Sequence, residues 1–450
     1  MNEHIEIKKF DNIEDTLQYF FKSRPHGTIK LGLQRINTLL RNAGNPEKSF
    51  KSIQIAGTNG KGSVTRMLST IFTTLGFRTG ANYSPHLVQF NERITFNNEM
   101  ISDDEIIKTA NQLIEPVSLM DKQSEEMKPS FFECTTAMAF KYFENRRVDV
   151  ATVEVGLGGR LDATTALHPE VTVITSIGLD HTKTLGDTIP LIAAEKAGII
   201  KEETPLVCGA YKKEAVDVIQ KVAEERKAKM YLINRDYSFE KVSTRINSNI
   251  FNFQSENLTI ENVELKMNGT HQFQNASTAI MAYLAFCEKT GIHPDISALK
   301  NGLKNTFWPG RFEVLNEAGK TPIIIDGAHN PEGIDALMEN WNIYFPAKRT
   351  VLLTGMLSGK DYSYMTSRLA SISEEIVVTE PNAPRETDTQ LIVEAYGKVK
   401  NASEVHYLSD HGEACEKAFE LALKYDSPIL ITGSLYVIGY LKKIIQEKYF

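Results

Sequence analysis

The chain has 450 residues, 42% hydrophobic and 24% charged, and its 50 basic and 57 acidic side chains leave a formal net charge of −7. That length predicts two domains, at about 100–200 residues per domain, and the acidic balance argues against a reader of phosphate backbones, so no nucleic-acid partner is expected. No stretch is apolar for long enough to span a bilayer, so no membrane partner is expected either. The first twenty residues are charged throughout, without a signal-peptide core. Cys134, Cys208, Cys287 and Cys415 are far apart and match neither a zinc pattern nor a disulfide framework, which points to the cytoplasm.

In chain order, LGLQRINTLLRNAG carries apolar residues at helical spacing and ends near Gly44. A strand is predicted over residues 52–56, a glycine-rich turn follows at once, and residues 63–75 read as a helix closed by Gly76. The runs VDVATVEVG and VTVITSIG predict strands over 148–155 and 171–177, with another over 206–209. Such β-branched runs suit strands buried on both faces of a parallel sheet. Helices are expected over 133–143 and 191–197.

Residues 237–264 are polar, alternating and rich in Asn, which predicts a small antiparallel excursion, and a helix after residues 271–275 returns to the main layer. A second alternating series follows Trp308-Pro309-Gly310-Arg311, with strands over 323–326, 350–354, 375–379 and 429–432. The expected class is α/β in two domains, residues 1–305 and 306–450, with a cleft between them.

Ala56-Gly57-Thr58-Asn59-Gly60-Lys61-Gly62-Ser63 lies between a predicted strand and a predicted helix. Glycines let several backbone N–H groups converge on one anion, and the helix adds its positive end. Lys61 then reads as the cation for β- and γ-phosphate oxygens, and the Ser63 hydroxyl as a ligand to phosphate-bound Mg²⁺. The spacing is shorter than the strict Walker pattern, and Gly62 separates lysine from serine. A bare glycine turn with an incidental lysine is the alternative. Glu154 ends an apolar strand, where open α/β sheets carry their ligands.

The ordered set LGLQRI, GTNGKGS, SPHL, FNERI, FFE, EVGLGGRLDAT, SIGLDH, EKAGI, NA, WPGR, DGAHNP and TGSLY resembles the folylpolyglutamate synthase and dihydrofolate synthase family of the Mur ligase superfamily. The resemblance implies an N-terminal P-loop NTPase-like parallel sheet of the Mur central-domain type and a smaller Rossmann-like C-terminal domain. It also implies a monomer that transfers the γ-phosphoryl of ATP to a carboxylate and lets glutamate attack the acyl phosphate.

By that resemblance, Gly57, Thr58, Asn59, Gly60, Lys61, Gly62, Ser63, Asn275, Arg311 and Asp326 bind ATP. Ser63, Ser84, Glu154, His181 and Lys196 serve two Mg²⁺ sites, Lys196 as a carbamate. Ser130, Phe131, Phe132, Glu133, Leu161, Asp162 and Ala163 match stretches that contact the pterin. His329 and Ser434 match positions for glutamate or the ligation step, which makes Lys61, Lys196 and His329 the catalytic candidates.

The residues alone leave other readings open. Ser84 reads as a cap or turn before Pro85, His181 as a structural hydrogen-bonder, Lys196 as a solvated helix lysine, Asn275 as a helix cap and Arg311 as a salt-bridge partner between domains. Phe131 and Phe132 also suit a core. Thr165 stands where the family pattern has Asn, a departure that counts against ligation to dihydropteroate and leaves glutamate addition to reduced folates as the expected activity. A cell-wall Mur ligase, a regulatory P-loop NTPase and an inactive binding module are the competing assignments. The short helical lead-in argues against the first, and the intact set Lys61, Glu154, His181 and Lys196 argues against the last.

Overall fold

The computed structural model describes residues 9–22, 24, 32–315, 321–359, 361–381, 387–401 and 404–449. Residues 1–8 of the charged N-terminal stretch and Leu31, which opens LGLQRI, lie outside the described residues.

Eight strands form the first sheet: β1 (Lys51–Ala56), β2 (Thr79–Asn82), β3 (Ile94–Phe96), β4 (Glu99–Met100), β5 (Val150–Glu154), β6 (Val171–Ile174), β7 (Leu206–Cys208) and β8 (Met230–Leu232). Their order is β4-β3-β2-β5-β1-β6-β7-β8, parallel from β2 to β8 with an antiparallel hairpin at one edge. β5 and β6 are buried along their whole length, as their unbroken apolar and threonine runs require with helices on both faces. The helix Lys61–Thr74 packs on this sheet through Val64, Met67, Leu68, Ile71 and Phe72, all buried.

The excursion is a three-stranded antiparallel sheet of β9 (Tyr237–Arg245), β10 (Ser248–Ser255) and β11 (Leu258–Leu265). Phe251, Phe253, Ile260 and Val263 bury one face together with Phe273 of the helix His271–Thr290. The period-two alternation reports that single buried face.

The second sheet has the order β12-β13-β17-β14-β15-β16. It comprises β12 (Glu313–Leu315), β13 (Ile323–Ile325), β14 (Thr350–Thr354), β15 (Ser373–Val378), β16 (Val405–Tyr407) and β17 (Ile429–Thr432). All but β12 run parallel. The α/β class is therefore observed, with a large, mainly parallel sheet and a separate C-terminal α/β sheet. The strands missing from the sequence reading, β2, β3, β4, β8, β12 and β16, are short, and most lie at or near sheet edges, where no apolar run is needed.

Candidate active site

Parallel strands bring their following loops to one edge, and register decides which residues meet there. Ile55 pairs with Glu154, Ala56 with Ile174, and Asn82 with Val153. The phosphate-loop candidate, Ser84, Glu154 and the loop after β6 therefore emerge side by side at the carboxyl edge.

Gly57 has φ +150°, and a Cβ there would lie 2.0 Å from Thr175 Oγ1. Gly60 has φ +89°, and its Cβ would meet Asn275 Oδ1 at 2.4 Å. Both positions exclude side chains by conformation and by space. The loop after β6 braces this turn. Thr175 Oγ1 and Ser176 Oγ donate to Asn59 O at 2.7 and 2.9 Å, and Thr58 Oγ1 both donates to Gly178 O and accepts from Gly178 N. The helix begins at Lys61, two residues before the predicted start, which puts Gly62 and the buried Ser63 in its first turn.

Lys61 Nζ folds back and donates to Gly57 O at 3.0 Å and Thr58 O at 3.1 Å. Lys196 Nζ donates to the same Gly57 oxygen at 2.8 Å. Lys196 is only 5% exposed, so the solvated-lysine reading is overturned. Burial and the Lys61 charge drive its ammonium down to about 7, against the attraction of Asp180 and Asp162.

Glu154 is 4% exposed. Burial pushes its carboxyl up to about 7, opposed by Lys61, the Ser84 N–H, Arg311 and Arg93. Ser84 N donates to Glu154 Oε2 at 3.2 Å, and the buried Ser84 hydroxyl has no hydrogen-bond partner among the described residues. His181 is exposed, with left-handed φ 50° on the bracing loop.

From the C-terminal half, Arg311 acts electrostatically on both Glu154 and Asp326. Asp326 accepts from Phe312 N and Ala328 N, both at 2.8 Å, and burial raises its carboxyl. His329 Nδ1 lies 2.8 Å from Gly327 O, and its Nε2 lies 3.7 Å from Asp180 Oδ2. Ser434 is buried just beyond β17, and its hydroxyl accepts from Tyr436 N.

Four positions absent from the candidate site residues, Asn330, Asp180, Lys212 and Glu332, help connect the halves. Asn330 Nδ2 reaches Asn59 Oδ1 and Asp180 Oδ2, both at 3.3 Å, and Lys212 pairs with Glu332 at 2.5 Å. Contacts between residues 120 to 271 positions apart leave no local sequence signal.

Asn275 sits in the first turns of the helix His271–Thr290, whose N-cap is Thr270, so the capping reading of Asn275 is corrected. Ser130 instead caps the helix Phe131–Asn145, in a capping box with Glu133. Glu133 also pairs with Arg35. Phe131 packs edge-on against Phe21, with the Arg93 guanidinium over its ring at 5.1 Å. The ring of Phe132 covers Gly156, where a Cβ would come within 2.5 Å of it. Asp162 accepts from Leu157 N and Thr164 N beside the half-buried Leu161 and buried Ala163. The Thr165 hydroxyl donates to Gly159 O and accepts from Gln54.

These residues fit magnesium. An unpaired buried hydroxyl beside a buried carboxylate provides oxygen ligands, and the raised Glu154 carboxyl is what a neighbouring cation would restore to its charged form. Among the described residues no three His, Cys, Asp or Glu side chains cluster as a metal cage.

Residues 55–283 match the model of the Mur ligase middle domain, and residues 310–435 that of the Mur ligase glutamate ligase domain. The chain is 36% identical over 426 residues to a dihydrofolate synthase/folylpolyglutamate synthase of Bacillus subtilis, covering 94% of this chain and 97% of that one. Among solved structures it is similar to a Mycobacterium tuberculosis folylpolyglutamate synthase complexed with ADP, with a TM-score of 0.89 and 32% identity over 96% of this chain and 99% of that one. It also resembles a folylpolyglutamate synthase of Thermotoga maritima, with a TM-score of 0.84, 38% identity and 96% of each chain covered. Neither a switch NTPase nor a cell-wall ligase is favoured by these relatives, and the chain belongs to the folylpolyglutamate synthase/dihydrofolate synthase family of ATP-dependent Mur ligases.

Proposed function

We propose that this ligase adds L-glutamate to the γ-carboxylate of tetrahydrofolate and its polyglutamates through an acyl phosphate, releasing ADP and phosphate. The carrying observation is the convergence of Lys61 and Lys196 on Gly57 O, with Lys61 also acting on the buried Glu154. A free carboxylate acylates poorly, and phosphorylation installs a leaving group. Catalysis of that step is positioning and charge neutralisation.

In this reading Gly57–Ser63 cradle the phosphates, Asn275 contacts adenine, and Arg311 and Asp326 hold ATP from the C-terminal domain, 306–450, against domain 1–305. Ser63 with the nucleotide, and Ser84, Glu154, His181 and carbamylated Lys196 at a second position, would hold Mg²⁺, which neutralises charge on the phosphate oxygens. Phe131, Phe132, Leu161, Asp162 and Ala163 line the pterin site, where Ser130 and Glu133 act through their cap. His329 and Ser434 bind and orient glutamate.

Dihydropteroate is a second acceptor in this proposal, supported by the double name of the Bacillus subtilis relative. Four buried unpaired cysteines support a cytoplasmic setting, among the described residues no helix is long and apolar enough to cross a membrane, and a monomer is the family expectation. Small molecules are its partners.

The test is ADP release with ATP and Mg²⁺, offering tetrahydrofolate plus glutamate, dihydropteroate plus glutamate, and each partner omitted. Release is expected only when acid and glutamate are both present. Hydrolysis indifferent to them would overturn the reading.

A further inference from the structure

We infer that Asn340 and His271 fix the direction of the Asn275 amide, so that Asn275 turns its –NH2, not its oxygen, toward the nucleotide base. The inference rests on the reading of Asn275 as the adenine contact. It adds two positioning residues, one of them carried by the helix Pro331–Tyr344 of the C-terminal half.

The starting point is a backbone donor. Thr270 N donates to Asn340 Oδ1 at 3.0 Å, and a backbone N–H cannot reverse. The Asn340 –NH2 is thereby directed at His271 Nδ1, 3.4 Å away. That ring nitrogen must accept. A neutral imidazole has one lone pair and one N–H, so the proton sits on Nε2. Burial and the Arg311 charge lower His271 to about 4, which keeps the ring neutral at physiological pH.

As the side chains stand, Gln272 turns Nε2 to His271 Nε2 at 3.1 Å, and Asn275 Nδ2 donates to Gln272 Oε1 at 2.9 Å. An Nε2–H requires the Gln272 oxygen. With both amides turned over, Gln272 offers its –NH2 to the Asn275 oxygen, and the Asn275 –NH2 takes the arm against Gly60 where Oδ1 stands. The opposite orientation of Gln272 would place an –NH2 on each ring nitrogen, and a neutral imidazole can accept only one. Amide oxygen and nitrogen are alike in shape, so the network decides their assignment. Gln272 and Asn340 are fully buried, which shields the chain from exchange with solvent.

An –NH2 at this point selects a ring-nitrogen acceptor on the base. The same chain couples docking of the C-terminal half to the nucleotide site, because Asn340 reaches Thr270 and His271 only when the halves are together.

The test begins with ¹⁵N-histidine-labelled full-length protein, the His271 ring being assigned by its loss in His271→Phe. The expected ring is protonated on Nε2 and bare on Nδ1 at neutral pH. Protonation on Nδ1 would overturn the inference, and this measurement stands by itself if variants fold poorly. Asn340→Asp keeps the Thr270 bond but offers Nδ1 a second acceptor, so the ring proton moves and the chain reverses. The KM for ATP is then expected to rise roughly three- to tenfold, the loss of one hydrogen bond, with the KM for glutamate unchanged. A reversed ring with an unaltered KM for ATP would also overturn it. Either failure leaves acid- and glutamate-dependent ADP release in place, which separates it from failure of the ligase reading.

Discussion

Lys61→Ala is expected to lower kcat for ADP formation by roughly 10²–10³-fold, the cost of removing one preorganised charge from a developing anion. The reason lies in where the ammonium waits. Its Nζ rests on Gly57 O and Thr58 O, inside the turn whose N–H groups would receive phosphate. On the proposed reading it would exchange carbonyl oxygens for phosphate oxygens without a search through rotamers. Lys61→Arg is expected to recover little of the loss, since a planar fork does not fit the space of a compact ammonium. Steady-state kinetics with circular dichroism to confirm folding checks both. A loss smaller than about tenfold would remove Lys61 from the chemistry.

Lys196→Ala is expected to cost about 10²-fold in kcat, with formate or acetate restoring part of it. Two ammonium groups on one carbonyl oxygen repel each other, as Lys61 and Lys196 do at Gly57 O. Capture of CO₂ by the neutral Lys196 amine forms an N–C bond, releases one proton and leaves an anion, which turns the repulsion into attraction. The amine must first be neutral. Because burial and Lys61 hold Lys196 near 7, its uncharged fraction grows as pH rises through that value, so labelling by ¹³C-bicarbonate should strengthen from pH 6 to pH 8. A ¹³C carbamate resonance present in the wild type and missing in Lys196→Ala is the direct readout. Normal turnover of the variant without added acid would contradict the role.

Legibility followed from how local each signal was. The glycine turn between β1 and its helix was readable because positive φ demands glycine in a short span. Glu154 was readable because a carboxylate closing an apolar strand is costly to bury unless a cation or a donor offsets its desolvation. Lys196 was not. Its helix looks solvent-facing in sequence, yet the loop through Gly159 lies on it, with a Cβ at Gly159 only 2.8 Å from Glu195 O and 2.9 Å from Lys196 O. The Ser-x-x-Glu of residues 130–133 is a capping signal that the sequence reading missed when it began the helix at 133, and the structure uses it so. Asn330, Asp180 and Asn340 gain their meaning only from docking of one half on the other, and no spacing rule reaches that far.

The central claim is that phosphate passes through the acid before nitrogen attacks. Incubation of the wild-type protein with a folate whose γ-carboxylate carries ¹⁸O, together with ATP, Mg²⁺ and glutamate, tests it. One ¹⁸O should appear in each released phosphate. Phosphate free of the label, formed in step with new amide, would contradict the account.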